Sequence, residues 1–346
     1  MGTRIKTFFF TFLISVFLIG ETSAQIGEMI YNPYNLWLAG DGEIVINDIA
    51  DEKRTIKLFE FSSELLKGSI RSGRGPGEVS PSYYKRSTTF SNGDFLLWDA
   101  GRKRLMRYSS DLKYKTDVRG DATIGSSYQA GLINDSTLLT VDFSEEVFKA
   151  WRIKNNKISE GSLLWAVNRN EQKELLPLAN FTLLQTLFYD NYDGMLYVTF
   201  EFSSMIIGIN EDGIVFINDE PAKIPLPPVD PESEKSGRYS LPVMGKHPEG
   251  ARDIAANDKF VYVLLNGETI SKFQQMKYMV NFEALIEKTN HAKRLLIYNR
   301  FTGDFLKEIE LPIPSKQAKI SDDFVYLLHT LGEGPVVKRY KLSELH

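Results

Sequence analysis

Gly93-Asp94-Phe95-Leu96-Leu97-Trp98-Asp99 is a turn pair followed by a short apolar run that ends on a carboxylate. Its surroundings complete a four-part unit. Residues 84–90, 95–99, 104–109 and 114–118 read as four short strands, rich in β-branched and aromatic side chains. Asp99-Ala100-Gly101-Arg102 and Ser109-Ser110-Asp111 supply turn chemistry between them. The same run returns from turns at Gly42, Asp135, Gly194, Asp258 and Asp323, so six copies lie 51, 42, 59, 64 and 65 residues apart. Repeats of this period, each filled with four short strands, are the signature of propeller blades. The apolar runs are continuous, as expected of strands buried on both faces between neighbouring blades. The reading is an all-β, six-bladed β-propeller.

The chain ends decide how the ring closes. After Asp323 there is room for only two more strands, 324–329 and 336–342, so the sixth blade lacks its outer strand. An orphan strand-like piece, Ile26-Gly27-Glu28-Met29-Ile30-Tyr31, precedes Pro33 and is expected to complete that blade. Residues 25–346 then form a single domain closed by its N-terminal strand.

Ile70-Arg71-Ser72-Gly73-Arg74-Gly75-Pro76-Gly77-Glu78 resembles the G-x-G-P-G-E turn of NHL-type repeats. The whole chain after residue 24 resembles the TolB-like six-bladed propeller proteins common in Bacteroidetes. That resemblance implies a fold and an exported location, and little chemistry. Many such exported proteins carry a lipid-anchor cysteine, and this chain departs from them in having none.

Residues 1–24 have the form of a secretory leader. Arg4 and Lys6 precede an almost wholly apolar stretch at 7–20, and Glu21-Thr22-Ser23-Ala24 offers small residues for cleavage after Ala24. The stretch is shorter than the roughly 20 residues needed to span a bilayer. The expectation is a cleaved leader and a periplasmic or secreted protein, with no membrane span. With no cysteine, the exported chain has no disulfides and relies on its core. Losing Arg4, Lys6 and Glu21 from 41 basic and 45 acidic residues leaves 39 and 44, a net charge of -5. That balance points away from nucleic acid as a partner. A monomer is expected.

Three long insertions break the repeat, at 71–83, 219–250 and 267–291. The second holds seven of the chain's 14 prolines. The third, in blade five, carries Ile270, Phe273, Met276, Val280 and Ile286 at near-helical spacing and reads as an amphipathic helix over 269–289. Strand order places all three on one face of the disc, the usual location for binding on a rigid scaffold. That face also collects Arg71, Arg74, Arg102, Arg104, Arg238 and Arg252, whose planar forks match carboxylate, sulfate or phosphate. Arg252-Asp253 falls in an inner strand, as either a structural plug or a ligand clamp. Tyr83, Tyr84, Tyr239 and Tyr278 add aromatic surface.

The leading expectation is a binding module for an anionic or glycan-like ligand, or for a partner protein, with Arg71, Arg74, Arg102, Arg104, Arg252, Asp253 and Tyr239 as candidate ligand contacts. A second reading is a lyase or hydrolase with a divalent metal at the channel mouth. It requires His247, His291 or His329 to converge with Asp253 or Glu78. The sequence holds no spaced His-x-His or His-Glu pair. A third reading is an assembly scaffold that docks another protein through the blade-five helix. The Gly73–Gly77 run lacks the Lys-Ser/Thr and the following helix of a phosphate loop.

Overall fold

The structure, a computed structural model, describes residues 25–346 apart from 28, 41, 81–84, 100, 121–128, 143, 173, 176–186, 228–247, 270, 272, 275, 277–281, 322, 333 and 346. The leader reading (1–24), Arg238, Tyr239, Tyr83, Tyr84, Tyr278, Val280 and His247 fall outside the described residues.

Six sheets, antiparallel apart from one added two-residue strand, form a six-bladed propeller. The chain opens with β1 (Gln25–Ile26). Blade one is β2 (Pro33–Gly40), β3 (Glu43–Asp48), β4 (Ile56–Glu60) and β5 (Leu65–Ile70). Blade two is β6 (Lys85–Thr89), β7 (Phe95–Asp99), β8 (Arg104–Tyr108) and β9 (Tyr114–Gly120). Blade three contains β10 (Gln129–Asn134), β11 (Thr137–Val141) and β12 (Glu146–Arg152). Then β13 (Lys157–Ile158) pairs back in parallel with β9, and β14 (Leu163–Asn168) completes blade three. Blade four is β15 (Leu187–Tyr192), β16 (Met195–Phe200), β17 (Ile206–Asn210) and β18 (Gly213–Asn218). Blade five is β19 (Ala251–Ala256), β20 (Phe260–Leu265), then α1 (Phe282–Asn290), β21 (Ala292–Asn299) and β22 (Phe305–Ser315). Blade six is β23 (Gln317–Ile320), β24 (Phe324–His329) and β25 (Val336–Lys341), with β1 antiparallel to β25 through Gln25 opposite Lys338 and Ile26 opposite Val337.

The inner strands β2, β6, β10, β15, β19 and β23 touch in sequence order, and β23 returns to β2. At that seam Gln317 Oε1 accepts from the Leu36 N–H at 2.6 Å, and Lys316 Nζ donates to the Pro33 carbonyl at 2.9 Å. The core consists of six apolar clusters, one between each pair of neighbouring blades. In β7, Phe95 and Leu97 face blade one while Leu96 and Trp98 face blade three. Alternate side chains point to opposite faces of a strand, and here both faces are covered. That double burial is why the second strands read as unbroken apolar runs. Among the described residues, no helix is long and apolar enough to cross a membrane.

Candidate functional site

The arginines expected on the loop-rich face are mostly occupied by the protein itself. Arg71 donates to Glu78 Oε1 at 2.6 Å, Arg102 Nη1 to the Glu78 carbonyl at 3.0 Å, and Arg104 Nη2 to both oxygens of Asp117 at 2.9 and 2.7 Å. The Glu78 carboxylate also accepts from the Gly75 N–H at 2.7 Å, and this bond, with Arg71, holds its pKa below the usual carboxylate range. A Cβ on Gly73 or Gly75 would run into that carboxylate, and Gly77 sits at φ +70° against Tyr114. The Gly-Pro crossing is thus a self-contained turn folded around Glu78. Arg74 is exposed and makes no ion pair among the described residues.

Arg252 and Asp253 do not pair with each other. Arg252 is the extra residue of a β-bulge, between Ala251 opposite Leu265 and Asp253 opposite Leu264, and each side chain has its own partners. Buried Arg252 binds Glu201 at 2.6 Å and also binds Glu249, at the channel end on the loop-rich face, where Tyr34, Asn35, Phe188, Lys316 and Gln317 enclose about 170 Å³. Burial raises the pKa of Glu249. Deeper in, Asp253 accepts from Lys319 Nζ at 2.9 Å, and Lys319 donates a second bond to the Ile254 carbonyl at 2.8 Å.

Beyond that ion pair the channel widens toward the face of short turns. A cavity of about 330 Å³ is lined by Trp37, Ser87, Thr89, Phe90, Asp190, Tyr192, Asn257 and Lys319, among others. It continues into an outer basin of about 810 Å³ bordered by Asn134, Asp135, Asp193, Asp258 and Arg300. Asp190 accepts from the Ala256 N–H at 3.0 Å and the Asn191 N–H at 3.1 Å and has no ion-pair partner among the described residues. Burial pushes its pKa up to about 6, with Lys319 and the Ala256 N–H opposing the shift and Asp253 adding to it. Trp37 Nε1 and Ser87 Oγ are sealed in the packing behind this wall, with no hydrogen-bond partner among the described residues. Asn191 spans the channel to bond both the N–H and the carbonyl of Thr89 in blade two. Arg300 lies against the rings of Tyr192 and Phe301, with one ion pair to Asp193 at 3.0 Å.

Sequence reasoning missed Asp190, Lys319, Trp37 and Ser87. The signal was there: each is a polar or amphipathic residue within an inner strand, the criterion applied only to Arg252-Asp253. An ionisable side chain inside such a strand faces the channel because the interblade faces are apolar.

The fold is a shared one. The chain is similar to the crystal structure of a member of the DUF4221 family from Bacteroides vulgatus, with a TM-score of 0.57, 11% identity, and coverage of 93% of this chain and 97% of that one. It is also similar, at a TM-score of 0.45 and 12% identity, to virginiamycin B lyase from Staphylococcus aureus, covering 90% of this chain and 80% of that one. No family model and no curated protein matches the chain.

Of the three histidines considered for a metal, the structure brings two together. The rings of His291 and His329 lie 5.8 Å apart, edge to face. His291 Nε2 is 3.0 Å from Thr330 Oγ1, and His329 Nδ1 is 2.6 Å from the Pro314 carbonyl. Asp253 is held by Lys319 and Glu78 by Arg71, so neither carboxylate joins them. Among the described residues, no group of three or more His, Asp or Glu side chains could hold a metal ion.

Proposed function

We propose that this chain is an exported binding module of TolB-like type that holds a glycan-like ligand in its central channel. The observation that carries the reading is the cavity of about 330 Å³ itself, where Trp37, Phe90 and Tyr192 form aromatic wall and Thr89, Asp190 and Asn257 bring polar groups to the same space. Its volume lies within the range of small-molecule sites, and aromatic walls with a few convergent polar groups are their usual lining. In this reading the leader ends at Ala24, β1 latches the ring shut, and α1 belongs to a helical insertion in blade five.

The test is calorimetric titration of residues 25–346 with neutral disaccharides, repeated on Ser87→Trp, whose indole would fill the cavity. Binding that survives in a folded Ser87→Trp variant, or no binding to the wild type, would end this reading.

A second reading places a partner protein or anionic ligand on the loop-rich face. It is favoured by Phe273 and Met276 of the blade-five insertion, which are 76% and 62% exposed. Apolar surface of this kind on a polar rim is a common mark of protein contact. A partner retained equally by wild type and by Phe273→Ser/Met276→Ser would exclude it.

A further inference from the structure

We propose that the channel cavity takes a saccharide bearing a free amino group, its ammonium docking against Asp190. The inference rests on the channel reading above and adds the charge of the ligand.

Among the described residues, Asp190 is the carboxylate of this cavity without an ion-pair partner. The nearest candidate, Lys319 on β23, is held by Asp253 of β19 and by the Ile254 carbonyl. Two backbone N–H groups hold the Asp190 carboxylate in place, and they leave its charge uncompensated. The surroundings repeat the sign. Asp135, Asp193 and Asp258 border the outer basin, against Arg300 as its only cation among the described residues. Arg300 is itself paired with Asp193 and stacked on Phe301. An anion entering from this side meets an excess of carboxylates, whereas an ammonium is drawn inward. Trp37, Phe90 and Tyr192 border the same cavity, and aromatic faces attract cations as well as sugar rings. The ammonium would give Asp190 its missing partner, and a charge-assisted bond is about twice as strong as a neutral one.

A pH dependence follows. Docking needs Asp190 ionised, and burial raises its pKa to about 6. The groups that face it are Lys319 and Asp253 within the channel and Asp193, Asp258 and Arg300 at the mouth. Affinity for an amine should therefore fall as pH drops through 6.

Three disaccharides that differ only at C2 of both rings isolate the effect: cellobiose, its di(2-acetamido) counterpart and its di(2-amino) counterpart, a diamine. Titrated at pH 6.5 into residues 25–346, the diamine should bind at least tenfold tighter than cellobiose. That preference should disappear in Asp190→Asn and, for the wild type, at pH 4.5. The pH profile of the wild type carries the test even if the variant folds poorly. Equal binding of all three sugars would overturn the inference and leave the channel reading intact. Failure of all three to bind would overturn both. Tighter diamine binding that persists in a folded Asp190→Asn variant would remove Asp190 from the site.

Discussion

Lys57 is wholly buried, yet its ammonium is fully matched. It donates to Asp48 Oδ2 at 2.7 Å and to the Met29 carbonyl at 2.5 Å, and lies 3.1 Å from Asp51. Removing one partner of a buried pair leaves an uncompensated charge, so Lys57→Met should cost about 3–5 kcal/mol. The lower end is expected because Asp48 keeps the N–H groups of Tyr31, Asn32 and Ala50. Urea unfolding measures the loss; a value below about 1 kcal/mol would mean that those N–H groups alone satisfy Asp48. Asp190 should behave in the opposite way. An unfolded aspartate ionises near pH 3.9, whereas folded Asp190 ionises near 6. Between those values the native state binds more protons, so stability falls as pH rises from about 4 to 6. Asp190→Asn has no such loss. Its advantage over wild type should be absent near pH 4, grow through 6, and level off above at on the order of 1–2 kcal/mol, given the screening that channel water provides. Thermal midpoints at pH 4.5 and 7.5 decide it, and an advantage equal at both would refute the assignment. A carboxylate that destabilises its own fold is the usual mark of a functional position. At this scale the sequence was least legible. Arg71, Arg102, Arg104 and Arg252 could be placed on one face and Glu78 named as a partner, but Asp117 depends on the register of β9 against β8 and Glu201 on how blade four packs against β19, which no spacing records.

Strand ends show what the repeat encodes. In five of the six blades the second strand finishes on, or just before, a polar residue that ties down a neighbouring segment. Asp48 takes the N–H groups leading into β2, and Asp99 takes the Ser80 N–H ahead of β6. Glu201 takes Arg252, Asn266 donates to the Lys288 and His291 carbonyls, and His329 meets the Pro314 carbonyl. These elements were legible because burial on both faces imposes an apolar run of fixed length, closed by a polar stop. Strands 84–90, 95–99, 104–109 and 114–118 were expected in blade two, and 85–89, 95–99, 104–108 and 114–120 are observed. The crossings were legible only as insertions, since their conformation is set by tertiary contact. Gly250, which leads into β19, is an example. Its backbone lies so close to Ser203 that an added Cβ would sit 2.1 Å from the Ser203 nitrogen, while the Ala251 N–H bonds the Ser203 carbonyl at 2.9 Å. Backbone cannot yield as a side-chain tip can. Gly250→Ala should therefore cost at least the roughly 1–3 kcal/mol of an overpacked core, and should also loosen Arg252 beside it. An unchanged denaturation midpoint would show that the crossing can slide.

At the scale of the whole molecule, the disc carries opposite chemistry on its two faces. The crossings and the turns between second and third strands bear the arginines, of which Arg71, Arg104 and Arg252 are neutralised in place. The tight turns between first and second strands bear Asp135, Asp193, Asp258 and Asp323, and the wider end of the channel opens among them. The sequence showed both sets, but length drew attention to the first and the uniform short turns concealed the second. How the ring stays closed is the remaining question at this scale. β2 and β23 are joined directly by Gln317 and Lys316, and independently β1 adds an outer strand to blade six. The N-terminal segment contributes more than two paired residues. Ile26 and Ile30 are each 3% exposed, in a cluster with Phe59, Tyr326 and Val337, and the Met29 carbonyl receives Lys57. Two buried isoleucines are worth about 1.5–3 kcal/mol each, and a hydrogen bond to a charged group about 1.5–3 kcal/mol. The total is comparable with the whole stability of an ordinary domain, about 5–15 kcal/mol, in a chain without a disulfide. A chain beginning at Tyr31 should therefore melt far below one beginning at Gln25, and Ile26→Asp should reproduce much of that loss without shortening anything. If both variants kept the wild-type midpoint, the seam between Gln317 and Leu36 would suffice to close the ring, and β1 would be an ornament of blade six rather than its latch.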